Sequence, residues 1–220
     1  MLTADGGFTP RTLPRRAFAP IEFKGRANLR AVDGGVPVAV RQIVLEFDRD
    51  GRLSTRGLPE CDPAVLVGKN PFDARETCGG SIVGWGHAAA MVARPGEPAF
   101  KAGTELTVFN GKRQGHLPTA IVHGRLNTPQ PETFLIVVPI AKQAGEYRYR
   151  ATIDVPPIAG GYGALVHVDA TIGRRFRSGG ARRSYVSARC SDGVLQTHGR
   201  FTFADGSIVD GSVQRGCTVR

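Results

Sequence analysis

The sequence offers no apolar run long enough to cross a bilayer as a helix. Its longest, Phe134 to Ala141, has 8 residues and contains Pro139, against the roughly 20 that a spanning helix needs. No basic start followed by an apolar stretch opens the chain, because Asp5, Arg11, Arg15 and Arg16 interrupt it; a secretory signal was therefore either removed or never present. The cysteines show no CxxC spacing, which argues against a four-cysteine zinc site built on paired knuckles. A Gly-x-Ser-x-Gly elbow is also missing: in Gly80-Ser81-Ile82-Val83-Gly84 the serine follows the first glycine directly. Gly160-Gly161-Tyr162-Gly163 lacks the strand-then-helix setting of a phosphate loop and reads as a turn. With no basic helix, no aromatic RNA-binding strand motif and no zinc finger, nucleic acid is not an expected partner.

Turn chemistry, by contrast, is plentiful. The 29 glycines and 15 prolines are scattered without a repeat, which excludes collagen-like and low-complexity classes and suits many short strands. A chain of 220 residues can bury one full core. Residues 1–16, with Gly6, Gly7, Pro10 and Pro14, read as an extended N-terminal arm, and residues 17–220 as a single domain.

Alternation of apolar and polar residues marks the strands. From Ile21 to Ala31, Ile21, Phe23, Ala27 and Leu29 share one face while Glu22, Lys24, Arg26, Asn28 and Arg30 share the other. Val38 to Phe47 repeats the pattern, and Asp48-Arg49-Asp50-Gly51 then supplies a turn into an expected hairpin. Further strands are expected over 81–92, 105–109, 118–126, 133–140, 146–155, 164–172, 184–190, 194–203 and 207–214. Helical character is confined to the stretch between Cys61 and Cys78, where Asp62 can cap and Pro63 can start a turn, with a second turn at 72–76. The expected fold is all-β: an antiparallel two-layer β-sandwich of roughly ten to twelve strands with one short helical segment.

The cysteines form two near pairs, Cys61 with Cys78 and Cys190 with Cys217. Local pairing is favoured, each bridge contributing about 3 kcal/mol in the chain-entropy model, although four cysteines allow three connectivities and four reduced, separately buried thiols are the alternative. Paired, they point to an oxidising compartment outside the cytosol.

The net charge of +10 is uneven: residues 1–110 carry 14 basic and 12 acidic groups, residues 111–220 carry 15 and 7. Arginine outnumbers lysine 24 to 5, so part of the excess can reflect a GC-rich genome. The densest cluster is Arg174, Arg175, Arg177, Arg182 and Arg183 around Ser178-Gly179-Gly180, a loop between two expected strands. Read functionally it is an anion clamp for phosphate or carboxylate, helped by Phe176 and Tyr185; read plainly it is a solvated basic loop.

His123, His167 and His198 fall on polar strand faces beside Arg125, Asp169 and Arg200, each at i, i+2. A metal site needs at least three such ligands to converge, and an acid–base site needs a carboxylate beside an imidazole, for which Asp169 with His167 is the nearest candidate. Asp48-Arg49-Asp50-Gly51 is similar to the opening of a calcium loop but lacks the rest of the spacing and the closing Glu. Trp85, flanked by Gly84 and Gly86, reads as strand packing or as a platform for a sugar ring.

Gly57-Leu58-Pro59 before Cys61, Cys78 before Ile82-Val83-Gly84, Phe109-Asn110-Gly111, Ala159-Gly160-Gly161, and Ser184-Tyr185 leading to Cys190 and Asp192-Gly193 span most of the chain. Together they make it resemble exported β-rich proteins of actinobacterial type, a group with no established activity. The resemblance implies fold and compartment and supplies no catalytic residue.

The sequence therefore leads to the expectation of a non-catalytic extracytoplasmic module, secreted or held at the cell envelope, with no cofactor. Its basic Arg174–Arg183 surface would meet an anionic envelope polymer or lipid headgroups. The rival readings are a hydrolase or metal-dependent enzyme with a His/Asp site on a sheet face, and a structural or adhesive module.

Overall fold

The computed structural model describes all 220 residues. Its frame is one antiparallel sheet of 11 strands. In chain order these are β1 (Leu2–Thr9), β2 (Glu22–Leu29), β3 (Val40–Asp48), β4 (Ile82–Val92), β5 (Phe100–Gln114), β6 (Leu117–Leu126), β7 (Glu132–Lys142), β8 (Tyr147–Asp154), β9 (Gly163–Ile172), β10 (Val194–Phe203) and β11 (Ile208–Gly216). They lie side by side in the order β1-β2-β9-β4-β5-β6-β7-β8-β3-β10-β11. The all-β class with one short helix is as the alternation predicts. The two layers are opposite walls of a single sheet, which curls until β1 lies beside β11.

Antiparallel pairing alternates strand direction, so the first and last of 11 strands point the same way. A ring of antiparallel neighbours needs an even count, and closure here must be parallel. It is: just beyond these two strands, Thr12–Leu13 pairs in parallel with Thr218–Val219. Along β1 and β11 themselves no backbone ladder forms. The Cys190–Cys217 disulfide, with 6.0 Å between Cα atoms, holds the end of β11 at this closure.

The sequence explains the tight curl between β4 and β9. A Cβ on Gly86 would stand 2.0 Å from the carbonyl oxygen of Asp169, so only glycine lets the two backbones approach. The expected N-terminal arm is, over Leu2–Thr9, an edge strand of the sheet, with Leu2, Ala4, Gly6 and Phe8 opposite Leu29, Ala27, Gly25 and Phe23. Gly6 and Gly7 in its middle hide the alternation from the sequence. The turn at Asp48–Gly51 likewise does not lead back along β3; Gly51–Leu53 pairs instead with Val186–Ala188, which also pairs with Ala19–Pro20, and this small sheet covers one end of the curled frame.

The 55–81 segment lies on the outside of β5 to β7. Asp62 caps a 3₁₀ turn at Pro63–Leu66 by accepting from the Ala64 amide, and Asn70 caps the helix α1 (Pro71–Cys78) by accepting from the Asp73 amide. Leu66 and Ala74 from this segment bury Phe109 and Ile121 beneath them. The Cys61–Cys78 disulfide, 5.7 Å between Cα atoms, closes the segment. Both bridges are the local pairs, no cysteine is free, and together they mark an oxidising environment. No helix is long and apolar enough to cross a membrane.

Candidate functional site

Side chains alternate across a strand, so each of the 11 strands sends every second residue inward. Clusters of buried apolar residues close the two ends of the interior. At one end Leu29, Val40, Val92, Leu126, Ile158 and Phe201 meet; at the other Leu58, Val83, Val108, Val138, Ala151 and Tyr185 do. Between them the inward residues are small on one wall. Gly6, Gly25 and Ala170 lie in register across three neighbouring strands, and Ala4, Ala27, Val168 and Ala88 occupy the next rung across four. The result is a cavity of about 590 Å³, within the roughly 300–1,000 Å³ of ordinary ligand sites.

Larger apolar residues form the facing wall. Leu45, Val122, Ile136 and Ile153 point inward yet remain only partly buried, because they face the cavity rather than another side chain. Of the 51 residues that border the space, 35 are hydrophobic. Of its charged border groups, Asp5, Arg26, Asp169 and Asp210 belong to the outward faces of strands at or near the seam where β1 meets β11, and Arg52 to the small sheet that covers one end. Gly6, Val209, Gly211 and Val213 border the cavity at that seam.

Thr104, Tyr149, Tyr185 and Thr197 interrupt the apolar lining. Tyr185 is 2 % exposed, and its buried hydroxyl has no hydrogen-bond partner. Burial pushes its pKa up, so the phenol is neutral.

The arginine cluster divides. Arg174 is structural, its Nη1 donating to the carbonyls of Ile82 at 2.7 Å and Gly79 at 3.2 Å. The expected loop is a hairpin, Arg175–Ser178 against Ala181–Ser184. Arg177 faces Arg182 directly, Arg175 shares their face, and Arg183 sits opposite Phe176 on the other. None of Arg175, Arg177, Arg182 and Arg183 has an acidic partner.

The three histidines do not converge. His123 lies outward on β6 beneath the 55–81 segment, fully buried, its Nε2 donating to the Lys69 carbonyl at 3.0 Å. Burial lowers its pKa, and its Nδ1 is unpaired. His167, on β9, joins Asp169 as the spacing suggests, Nε2 donating to Oδ2 at 3.0 Å, with His87 Nδ1 at 3.5 Å from the other oxygen. His198, on β10, donates from Nδ1 to Glu46 at 3.1 Å. Glu46 is held below the usual carboxylate range by a hydrogen bond from Gln143 and by Arg150, against the opposing effect of burial. At least two strands separate each of these histidines from the next, and no group of three or more His, Cys, Asp or Glu is arranged to hold a metal ion.

The calcium-like turn is spent internally. Asp50 is fully buried and accepts from Arg189 Nε at 2.7 Å and from the Ser191 amide at 2.8 Å. Burial opposes its ionisation, but those bonds outweigh it and lower the pKa. Asp48 accepts from the Asp50 and Gln196 amides, while burial raises its pKa. Trp85 points outward from β4, 46 % exposed, with the Arg75 guanidinium 5.8 Å from its ring centre.

Sequence reasoning finds the cavity's large residues and misses the cavity. Its signal was the run of Ala and Gly at inward positions of otherwise well-formed strands: Ala4, Gly6, Gly25, Ala27, Ala88 and Ala170. Comparison with protein-family models, curated proteins and solved structures finds no match.

Proposed function

We propose that this protein is a non-catalytic extracytoplasmic binding protein that takes an elongated apolar molecule into the interior of its curled sheet. The observation that carries the reading is the 590 Å³ cavity with its predominantly hydrophobic border. Curled sheets of this size use the space between their walls either for side chains or for a ligand, and here small residues leave it to the second. Two disulfides suit such a frame to an oxidising compartment. Native mass spectrometry of the delipidated protein with decanol tests the reading: one adduct per chain supports it, and adducts without defined stoichiometry contradict it.

The basic hairpin supports a second contact. Like charges directly opposite on paired strands repel, and Arg177 against Arg182, with Arg175 alongside, has no carboxylate to relieve it. An anionic envelope polymer or lipid headgroup would do so, through bidentate bonds to phosphate or carboxylate. Salt-sensitive binding to phosphatidylglycerol vesicles, lost in an Arg175→Ser, Arg177→Ser, Arg182→Ser variant, is the expected result. Binding unchanged by the substitutions would remove the hairpin from the account.

A further inference from the structure

Residues that point inward from a curled sheet are hidden by the strands beside and opposite them. Of the inward strand residues that border this cavity, three are nonetheless exposed: Ala4 on β1, and Val209 and Gly211 on β11. Val209 pairs with the buried Phe201 and Gly211 with Gly199, so both share the inward face of β10. Val209 is still 43 % exposed, and a Cβ on Gly211 would have no atom within 4 Å beyond its chain neighbours. Inward and outward residues alternate along a strand, yet Val209, Asp210, Gly211, Ser212 and Val213 all border the cavity in succession. On a fully paired strand a neighbour would stand between the two faces. Here the edge of β11 itself meets the space, as does the edge of β1 at Ala4, Asp5 and Gly6.

The opening is a slot with one closed end. Toward the carboxyl ends of the two strands Asp5 is bonded to Arg215, Arg11 Nη1 donates to the Gly216 carbonyl at 3.1 Å, and Thr12–Leu13 pairs with Thr218–Val219. Toward the amino ends, from Ala4 and Ser212 onward, no hydrogen bond crosses the seam: the Met1 amine donates to the Arg30 carbonyl, and Ser212 Oγ lies 3.4 Å from the Tyr147 hydroxyl.

We propose that this slot is the mouth of the cavity and the seat of the ligand's polar end: an alkyl chain lies inside the sheet while an uncharged, hydroxyl-rich headgroup stays between β1 and β11. The inference rests on the apolar-carrier reading and adds that the ligand is an amphiphile. The rim specifies the head. Its carboxylates already have cations, Asp5 in Arg26 and Arg215, and Asp210 in Arg200 at 3.6 Å. A charged head would have to compete with those pairs. The seam edges of β1 and β11, by contrast, carry backbone N–H and C=O groups without a ladder partner, and Ser212 adds an exposed hydroxyl. Donors and acceptors side by side match the hydroxyls of a neutral polyol, each of which can donate and accept.

The test uses the full oxidised chain, the fluorescent apolar probe N-phenylnaphthylamine, and two competitors with the same alkyl chain. Decanol can be enclosed entirely; decyl maltoside carries a disaccharide whose many hydroxyls are too costly to bury in an apolar cavity. Below its micelle-forming concentration, decyl maltoside should displace the probe from the parent within about threefold of decanol, because the chain supplies the affinity of both. In an Ala4→Phe, Gly211→Phe variant, with rings standing in the slot, displacement by decyl maltoside should weaken at least about tenfold relative to decanol. Displacement of the probe from the parent by decanol but not by decyl maltoside would overturn the open mouth without recourse to any variant. The same ratio of the two competitors in parent and folded variant would overturn its placement between β1 and β11. A parent that takes up no probe would instead contradict the cavity reading, and this inference would fall with it.

Discussion

The Asp5 carboxylate and the Arg215 guanidinium are bonded across the seam between the first and last strands of the sheet. Arg26 also donates to Asp5, at 3.0 Å, so one carboxylate ties β11 to β1 and β1 to β2. With the Gly6 amide bond first and these cations after it, the Asp5 pKa is lowered. Where backbone pairing is missing along β1 and β11, side chains do the joining, and the cavity comes to its border at the same place.

Cutting that tie should loosen the seam more than the fold. For Arg215→Ala we expect faster amide hydrogen exchange over β1 and β11 and faster probe uptake. The loss of global stability should be at most about 1 kcal/mol, because the pair is partly exposed. Unchanged exchange over both strands would show that the seam is held by other contacts.

Asp50 carries more of the stability. It binds the 187–191 segment to the end of β3 through Arg189 and the Ser191 amide, so Asp50→Ala should cost about 3 kcal/mol by stranding both donors. The sign with pH follows from its lowered pKa: the stabilisation is full above the ordinary Asp value and is lost as pH falls through the lower folded-state value. Urea midpoints should therefore differ most between parent and variant at neutral pH, and converge in strong acid.

His123 predicts a slope at milder pH. Its folded-state pKa lies below the ordinary 6.5, so as pH falls past that value the unfolded chain takes up a proton that the folded chain refuses. Stability should decline between about pH 7 and pH 5. In His123→Gln that part of the decline should vanish, as read from urea midpoints across the range. The same slope in both proteins would contradict the assignment.

Filling the cavity should abolish binding without cost to the fold. In an Ala88→Leu, Ala170→Leu variant the added groups have space before them, so probe binding should fall by at least about tenfold while the thermal midpoint holds or rises. A large drop in melting temperature would mean that the walls are already in contact.

The frame was largely legible because its strands alternate cleanly. Tyr147, Tyr149, Ile153 and Val155 against Arg148, Arg150 and Asp154 is such a case, and β8 occupies it. β1 was not, because Gly6 and Gly7 hide its period, and neither was the hairpin at Arg175–Ser184, where charge obscures pairing. The local disulfides follow from spacing. The cavity does not, because alternation reports which face a residue takes and not what stands opposite. Asp169 beside His167 needed only the two-residue period, whereas Glu46 beside His198 and Asp5 beside Arg215 depend on strand order, which no local pattern encodes.

The most direct test of the central claim is a titration of the oxidised protein with N-phenylnaphthylamine, run in parallel on the Ala88→Leu, Ala170→Leu variant. A saturable rise in probe fluorescence at one site per chain, absent from the folded variant, is the predicted result. No saturable rise in the parent, or an equal rise in both proteins, would contradict an apolar binding site inside the sheet.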